Sequence, residues 1–471
     1  MGEETKKVNR IGKDFTLPQL IWFAVPAILT HLCTQLFHSL DDGLFVSRFV
    51  GPSALASISI VSPVNSILMA IGQLLAVGAS TLSAQRMGKH EQLEAKRIFS
   101  RIAVWALIIG GIFALGVNIF VDPILNFLGA DESLVENSRT FVRIVMTNAP
   151  IHILSVVFSS YYSTAGKPKM GLFCSILNGS INIVLDFLLV AILKWGIVGS
   201  SLSTVIGEVA VVIVGLCFYT RDVNEVHFVK PQGGYAATLG ETWSSGFSQF
   251  INSMAFSVTN FVTNKTILAY MGPDGISANS IIADLRIIMN AAFVGYITCV
   301  GPILAYNYGN RNAPRLKKLL SHNIKMWFFG TLGLTILAQL LRSPLISIFF
   351  GSDTSTDLFK MTYEGLTIEY FSCMFSCGCI FVMRMFVALG SPKTSSTLTF
   401  FRNIVFRISI MLLLPMLFGS IGVWLAFPVS EALSFGIAAI LVVANAKNYG
   451  YGKSGLALRM QGGIIEDPLT E

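Results

Sequence analysis

Apolar residues in this chain come in long, nearly unbroken runs, separated by short polar stretches in which Gly, Pro, Lys and Arg recur. A run of about 20 such residues, wound as helix, is long enough to cross a hydrocarbon core about 30 Å thick. Twelve runs meet that length, at approximately 16–47, 53–84, 98–121, 138–165, 170–193, 196–219, 238–270, 276–307, 318–341, 361–389, 394–417 and 421–445. The pattern predicts an all-α polytopic membrane protein with twelve transmembrane helices. The polar opening, MGEETKKVNRIGKDFT, and the length of the first run predict no cleavable leader.

Composition sharpens this picture. With 53% hydrophobic residues, 13% charged ones and a mean hydropathy of +0.67, the chain is too apolar for an ordinary soluble domain. The basic residues are distributed unevenly. Twenty Lys and Arg fall in the N-terminal tail, the loops at 85–97, 166–169, 220–237, 308–318 and 390–393, and the C-terminal tail; the alternate loops hold only Arg48, Lys194, Arg342 and Lys360. That asymmetry predicts a multi-pass plasma-membrane protein with both termini in the cytoplasm. It also accounts for most of the formal charge of +7, so no nucleic-acid partner is expected.

The chain repeats itself. Residues 51–100 align without a gap on 272–321, pairing Gly51 with Gly272, Gly88 with Gly309 and Lys96 with Lys317. The register persists further on, where Gly166, Pro168 and Lys169 match Gly390, Pro392 and Lys393, and Gly196 and Glu208 match Gly419 and Glu431. This predicts two six-helix lobes: residues 1–219 as the N-terminal lobe (helices 1–6), 220–237 as a cytoplasmic linker, 238–446 as the C-terminal lobe (helices 7–12) and 447–471 as a cytoplasmic tail. Six is even, so both lobes enter the membrane from the same side. A pseudo-two-fold axis along the membrane normal should relate them, with a substrate path between. Such an arrangement serves alternating-access transport. No Walker-type GxxxxGK[ST] and no HExxH occur, so neither a nucleotide partner nor enzymatic chemistry is expected, and there is no catalytic residue to nominate. The cysteines at 373, 377 and 379 have no His near them and read as small apolar packing residues.

Candidate chemistry lies in the acids of the N-terminal lobe. An ionised side chain at the centre of a bilayer costs at least about 2.5 kcal/mol, so it needs a function or a partner. In the first helix His31, Gln35, His38 and Asp42 share one face, while Asp41 points about 100° away. Pro26 in the same helix predicts a kink, hence a hinge. In the fifth helix Asn182 and Asp186 lie one turn apart, and in the sixth Thr204 and Glu208 do the same. Asp42, Asn182, Asp186 and Thr204 form an all-oxygen set suited to a hard cation such as Na⁺. Two carboxylates that approach closely also suit a proton. Supporting roles fall to Asp41, Gln35, His38 and Glu208.

Taken together, LDDGLFVSRFVGPSALAS, GQLLAVGASTLSAQRMGKHEQLEAKRIFS, the paired GKPK and GSPK turns and the double repeat resemble the multidrug and toxic compound extrusion (MATE) family over nearly the whole chain. The DinF-type branch, which keeps its essential acids in the N-terminal lobe, is the most similar. The resemblance implies a Na⁺- or H⁺-coupled antiporter, a monomer in the lipid bilayer, that exports small organic, cationic amphiphilic drugs by alternating access, with no cofactor beyond the coupling ion. A lipid-linked oligosaccharide or lipid flippase of the same superfamily is the alternative. The resemblance also places Asp42, Asn182, Asp186 and Thr204 at cation-site positions. One departure concerns the C-terminal lobe. The acids that the NorM-type branch places in the seventh and tenth helices are absent from FSQFINSMAFS and SCMFSCGCIFV. That lobe holds Lys265, Arg286, Lys325, Arg384, Arg402 and Arg407 instead, with Asp284, Glu369 and Glu431 as candidate partners.

Overall fold

The computed structural model describes residues 10–40, 49–50, 52–128, 132–350, 357–445, 459–460 and 463–464. Apolar runs in lipid have no water to satisfy backbone N–H and C=O groups, and a helix satisfies them within the run. The first half accordingly forms α1 (Leu17–Leu40), α2 (Pro52–Gly88), α3 (Gln92–Ile119), a short α4 (Val121–Phe127), α5 (Glu132–Thr147), α6 (Ala149–Thr164), α7 (Pro168–Leu185) and α8 (Gly196–Tyr219). The second half forms α9 (Tyr235–Gly309), α10 (Ala313–Lys325), α11 (Thr331–Phe350), α12 (Asp357–Glu369), α13 (Ser372–Ala388), α14 (Pro392–Phe400) and α15 (Arg407–Ala444). Three π-helical turns extend these helices, at Asp186–Ile192, Met326–Gly330 and Phe401–Phe406. The only β structure among the described residues is a small pair, Arg459–Met460 with Gly463–Ile464.

Eight of the described helices are long and apolar enough to cross a membrane, and two bent pairs raise the number to ten. One pair, Leu134–Thr147 with Ala149–Thr164, bends by 53°; the other, Asp357–Glu369 with Ser372–Ala388, bends by 46°. Gly272 (φ 72°) breaks α9 and Gly419 (φ 60°) breaks α15. Dividing the helices there gives twelve membrane-length segments among the described residues, at the places the apolar runs predict. Pro26 sits inside an α1 that runs unbroken from Leu17 to Leu40. Around it Thr30 Oγ1 donates to the Pro26 carbonyl at 2.7 Å, and the Cys299 thiol donates to the Phe23 carbonyl at 3.7 Å.

The sequence repeat reappears in backbone detail. Gly166 (φ 67°) and its match Gly390 (φ 74°) both end a helix in the left-handed region. Each is followed by the same closing hydrogen bond, Lys167 N to the Tyr162 carbonyl and Ser391 N to the Phe386 carbonyl, both 2.8 Å, the arrangement a C-terminal glycine permits. Gly196 and Gly419, also matched, share positive φ. Gly88 packs so closely on the Tyr306 carbonyl that a Cβ would collide with it, and Gly309 packs in the same way on the Gln85 carbonyl. Under the repeat offset Gly88 becomes Gly309 and Gln85 becomes Tyr306. The contact is therefore reciprocal, as a two-fold relation requires.

The chain divides into two compact units. One takes the residues up to Ser253 together with Thr298–Asn310, and the other takes Met254–Ile297 and the chain from Arg311 onward. The boundary falls inside α9 rather than at the 220–237 linker, and the packing of that linker supplies the reason. Arg101 donates to the Gln232 carbonyl (2.9 Å) and to Thr238 Oγ1 (3.0 Å), while Trp105 Nε1 donates to the Tyr235 carbonyl (3.1 Å). Phe228 packs against Phe99 with ring centres 4.9 Å apart and the rings tilted by 36°. Bonded in this way to α3, the linker and the start of α9 belong to the first unit. In the second unit Ile267, Ile282, Leu285, Leu366 and Trp424 form the buried core.

Candidate functional site

Asp186 stands where α7 passes into its π-helical turn. Its side chain is fully buried, at 0% exposure, and one carboxylate oxygen accepts from Ser203 Oγ at 2.5 Å. A π turn widens the backbone by one residue and so re-aims the side chains around it, which is why such turns recur at functional sites. One helical turn earlier, Asn182 is 7% exposed and its amide reaches Thr204 Oγ1 at 3.4 Å. Thr204 also donates back to the Ser200 carbonyl within α8, at 3.2 Å, so its hydroxyl serves its own helix and the cross-helix pair together. The structure thus brings Asn182, Asp186 and Thr204 to one α7–α8 seam. It adds Ser203, which the sequence reading passed over although it adjoins Thr204.

Glu208 lies one turn beyond Thr204 and has partners of its own. Its Oε1 is 2.6 Å from His152 Nδ1, and its Oε2 accepts from Asn148 Nδ2 at 2.6 Å. Both carboxylate oxygens are thereby held against α6 and the turn before it. His152 was not a candidate from sequence, where a lone imidazole in an apolar run gives no pattern to follow. On α1, Thr34 Oγ1 and Ser175 Oγ lie 2.9 Å apart, joining that helix to α7. His31 and Gln35 are half-buried on the same helix. Asp41, Asp42 and the side chain of His38 lie outside the described residues.

The second unit handles its acids differently. Glu431 of α15 is 4% exposed; Arg402 Nε donates to it at 2.9 Å, and Arg407 Nη1 stands 3.9 Å from its other oxygen. Arg402 also donates to Ser376 Oγ, at 2.9 Å. Glu369 pairs with Arg286. Two of these arginines stack on one ring, with the guanidinium of Arg407 3.6 Å and that of Arg286 4.2 Å from the centre of Phe427. A cavity of about 30 Å³ lies between Arg286, Glu369, Arg407, Trp424 and Phe427. An apolar groove of about 350 Å³ runs along α11 and α13. Leu340 in its wall is 74% exposed, which makes the groove an open outer face. The thiols of Cys373 and Cys377, 3.9 Å apart, both point at Asn290 Oδ1.

The family model for MatE matches residues 26–188 and 246–413, one segment in each repeat half and together most of the chain. The chain belongs to the MatE family. As a MATE transporter it is a membrane carrier and not an enzyme. It is 23% identical over 445 residues to the multidrug export protein MepA of Staphylococcus aureus, covering 93% of this chain and 94% of that one. The MepA of Staphylococcus saprophyticus is 23% identical over 440 residues, covering 92% and 94%. Among solved structures, an outward-facing multidrug resistance MATE transporter of the MOP superfamily superposes with a TM-score of 0.85 at 20% identity, over 94% of this chain and 99% of that one. A MOP-superfamily transporter from Pyrococcus furiosus, described as having a binding pocket of reverse polarity, gives 0.86 at 20% identity over 95% and 99%. At that identity the likeness fixes the fold, for which twelve helices in two lobes are typical.

Proposed function

We propose that this MATE transporter is a multidrug exporter of the plasma membrane, driven by inward movement of Na⁺ or H⁺ onto the acids of its N-terminal lobe. The multidrug export role of its staphylococcal relatives supports the export reading. One observation carries the coupling reading: Asp186 is fully buried at the start of a π turn in a membrane-length helix, with the hydroxyl of Ser203 against its carboxylate. A carboxylate in hydrocarbon persists only where something cationic repays its desolvation. Asn182 and Thr204 supply further oxygen ligands beside it, a set that suits Na⁺, with H⁺ as the second choice. Asp42 is assigned to the same site, with Asp41, Gln35, His38 and Glu208 in support and Pro26 as the hinge of α1.

In operation, cation entry neutralises the site and favours the state that releases an organic cationic amphiphile outside. Cation release to the cytoplasm, where both termini lie, resets a monomeric carrier by alternating access. The test is efflux of a cationic dye from proteoliposomes under Na⁺ and H⁺ gradients imposed separately. Efflux under one gradient and not the other identifies the ion; no efflux under either rejects ion coupling.

A further inference from the structure

The cluster around Phe427 is unbalanced in charge. The charged groups near Arg407 are Arg286, Arg402, Glu369 and Glu431, so three guanidiniums face two carboxylates. Asp284, two residues before Arg286, points to the opposite side of the helix. The surplus falls on Arg407. Arg402 and Arg286 each hold one glutamate, whereas Arg407 lies 3.9 Å from its nearest carboxylate oxygen. Its Nε is buried without a hydrogen-bond partner, and among the described residues none of its five N–H donors makes a hydrogen bond. A guanidinium at 17% exposure in a membrane-spanning helix, stacked on a ring and otherwise unsatisfied, is an incomplete site.

Beside it is the cavity that would complete it. About 30 Å³ accommodates a group of one or two water-sized atoms, too small for a whole drug and large enough for the two oxygens of a carboxylate. Trp424, Phe427 and Met411 give the cavity an apolar wall, and Asn279 a polar one. We propose that this pocket binds the carboxylate of an amphipathic substrate: Arg407 receives the anion in bidentate fashion and Arg286 supports it, with the apolar body left outside the cavity. The substrates would then include acids and zwitterions as well as the cations assigned above. This inference rests on the export reading only for the fate of the bound molecule, and its test measures binding with no gradient present.

Purified protein in detergent is titrated with naphthalene-1-acetate and with its neutral amide, using thermal stabilisation and tryptophan fluorescence. The acid should bind at least about tenfold more tightly than the amide, since a charge-assisted pair exceeds a neutral one by roughly that factor. Arg407→Gln should erase the preference, while Arg407→Lys should keep part of it. Glu431 retains Arg402 in both variants. Equal binding of acid and amide to the unmodified protein overturns the proposal whether or not the variants fold. A preference that survives Arg407→Gln also overturns it. So does displacement of the acid by phosphatidylglycerol vesicles but not by sodium acetate, which would give the pocket to a lipid phosphate.

Discussion

Glu208 and Glu431 occupy matched positions in the two repeat halves, yet their surroundings differ. Glu208 is held by His152 and Asn148, partners whose charge is conditional or absent. Glu431 is held by Arg402 with Arg407 close by, groups that stay protonated throughout the working range. Asp186 accepts from the Ser203 hydroxyl, whereas Glu369, like Glu431, is paired with an arginine. One scaffold, used twice, has divided its chemistry. Around these acids the first unit places hydroxyl, amide and imidazole groups, and the second places arginines, with positive charge to spare. We propose ion coupling for the first kind of site and anion capture for the second.

Breaking the fixed pairs should have the largest effect. Arg402→Met strands Glu431 in a buried site and should cost about 3–5 kcal/mol, read as a fall in the thermal midpoint in detergent. Arg402→Met with Glu431→Met should recover most of that loss, and no recovery would mean that Arg402 acts through packing alone. Next come the reciprocal glycines. Gly88→Val and Gly309→Val each push a side chain onto a backbone carbonyl of the other repeat half and should cost about 1–3 kcal/mol. The two costs should be similar, since the contact is two-fold, and a large inequality would count against that symmetry. The smallest effect sharpens the ion assignment. With Na⁺ as the driver, Thr204→Val should raise the half-saturating Na⁺ concentration about tenfold, or about 1.4 kcal/mol, by removing one oxygen ligand. If proton-driven efflux from the same vesicles fell equally, the hydroxyl would be a packing group.

Much of the fold was legible in the chain because hydrocarbon permits so few solutions. The apolar runs, the positive-φ glycines at 166, 196, 390 and 419, and the offset between the halves all carry over into the described helices. Part of the candidate site was legible too, since Asn182 and Asp186 lie one turn apart and Thr204, the cross-helix partner of Asn182, stands one turn before Glu208. What sequence did not reveal was pairing between helices. Arg407 gave no sign that it would stack on Phe427, a contact made across the break at Gly419, nor His152 that it would hold Glu208, a contact that joins α6 to α8. The linker at 220–237 reads as polar and loose, and is fixed by Arg101 and Trp105, residues whose donors point at backbone carbonyls that no side-chain pattern reports.

The most direct test sets one acid from each unit side by side in proteoliposome efflux. Asp186→Asn should remove the response to the imposed cation gradient, whereas Glu431→Gln, with Arg402→Met to keep the cluster balanced, should retain it. A gradient response that survives Asp186→Asn and disappears with the Glu431 pair would contradict the division of labour between the two units.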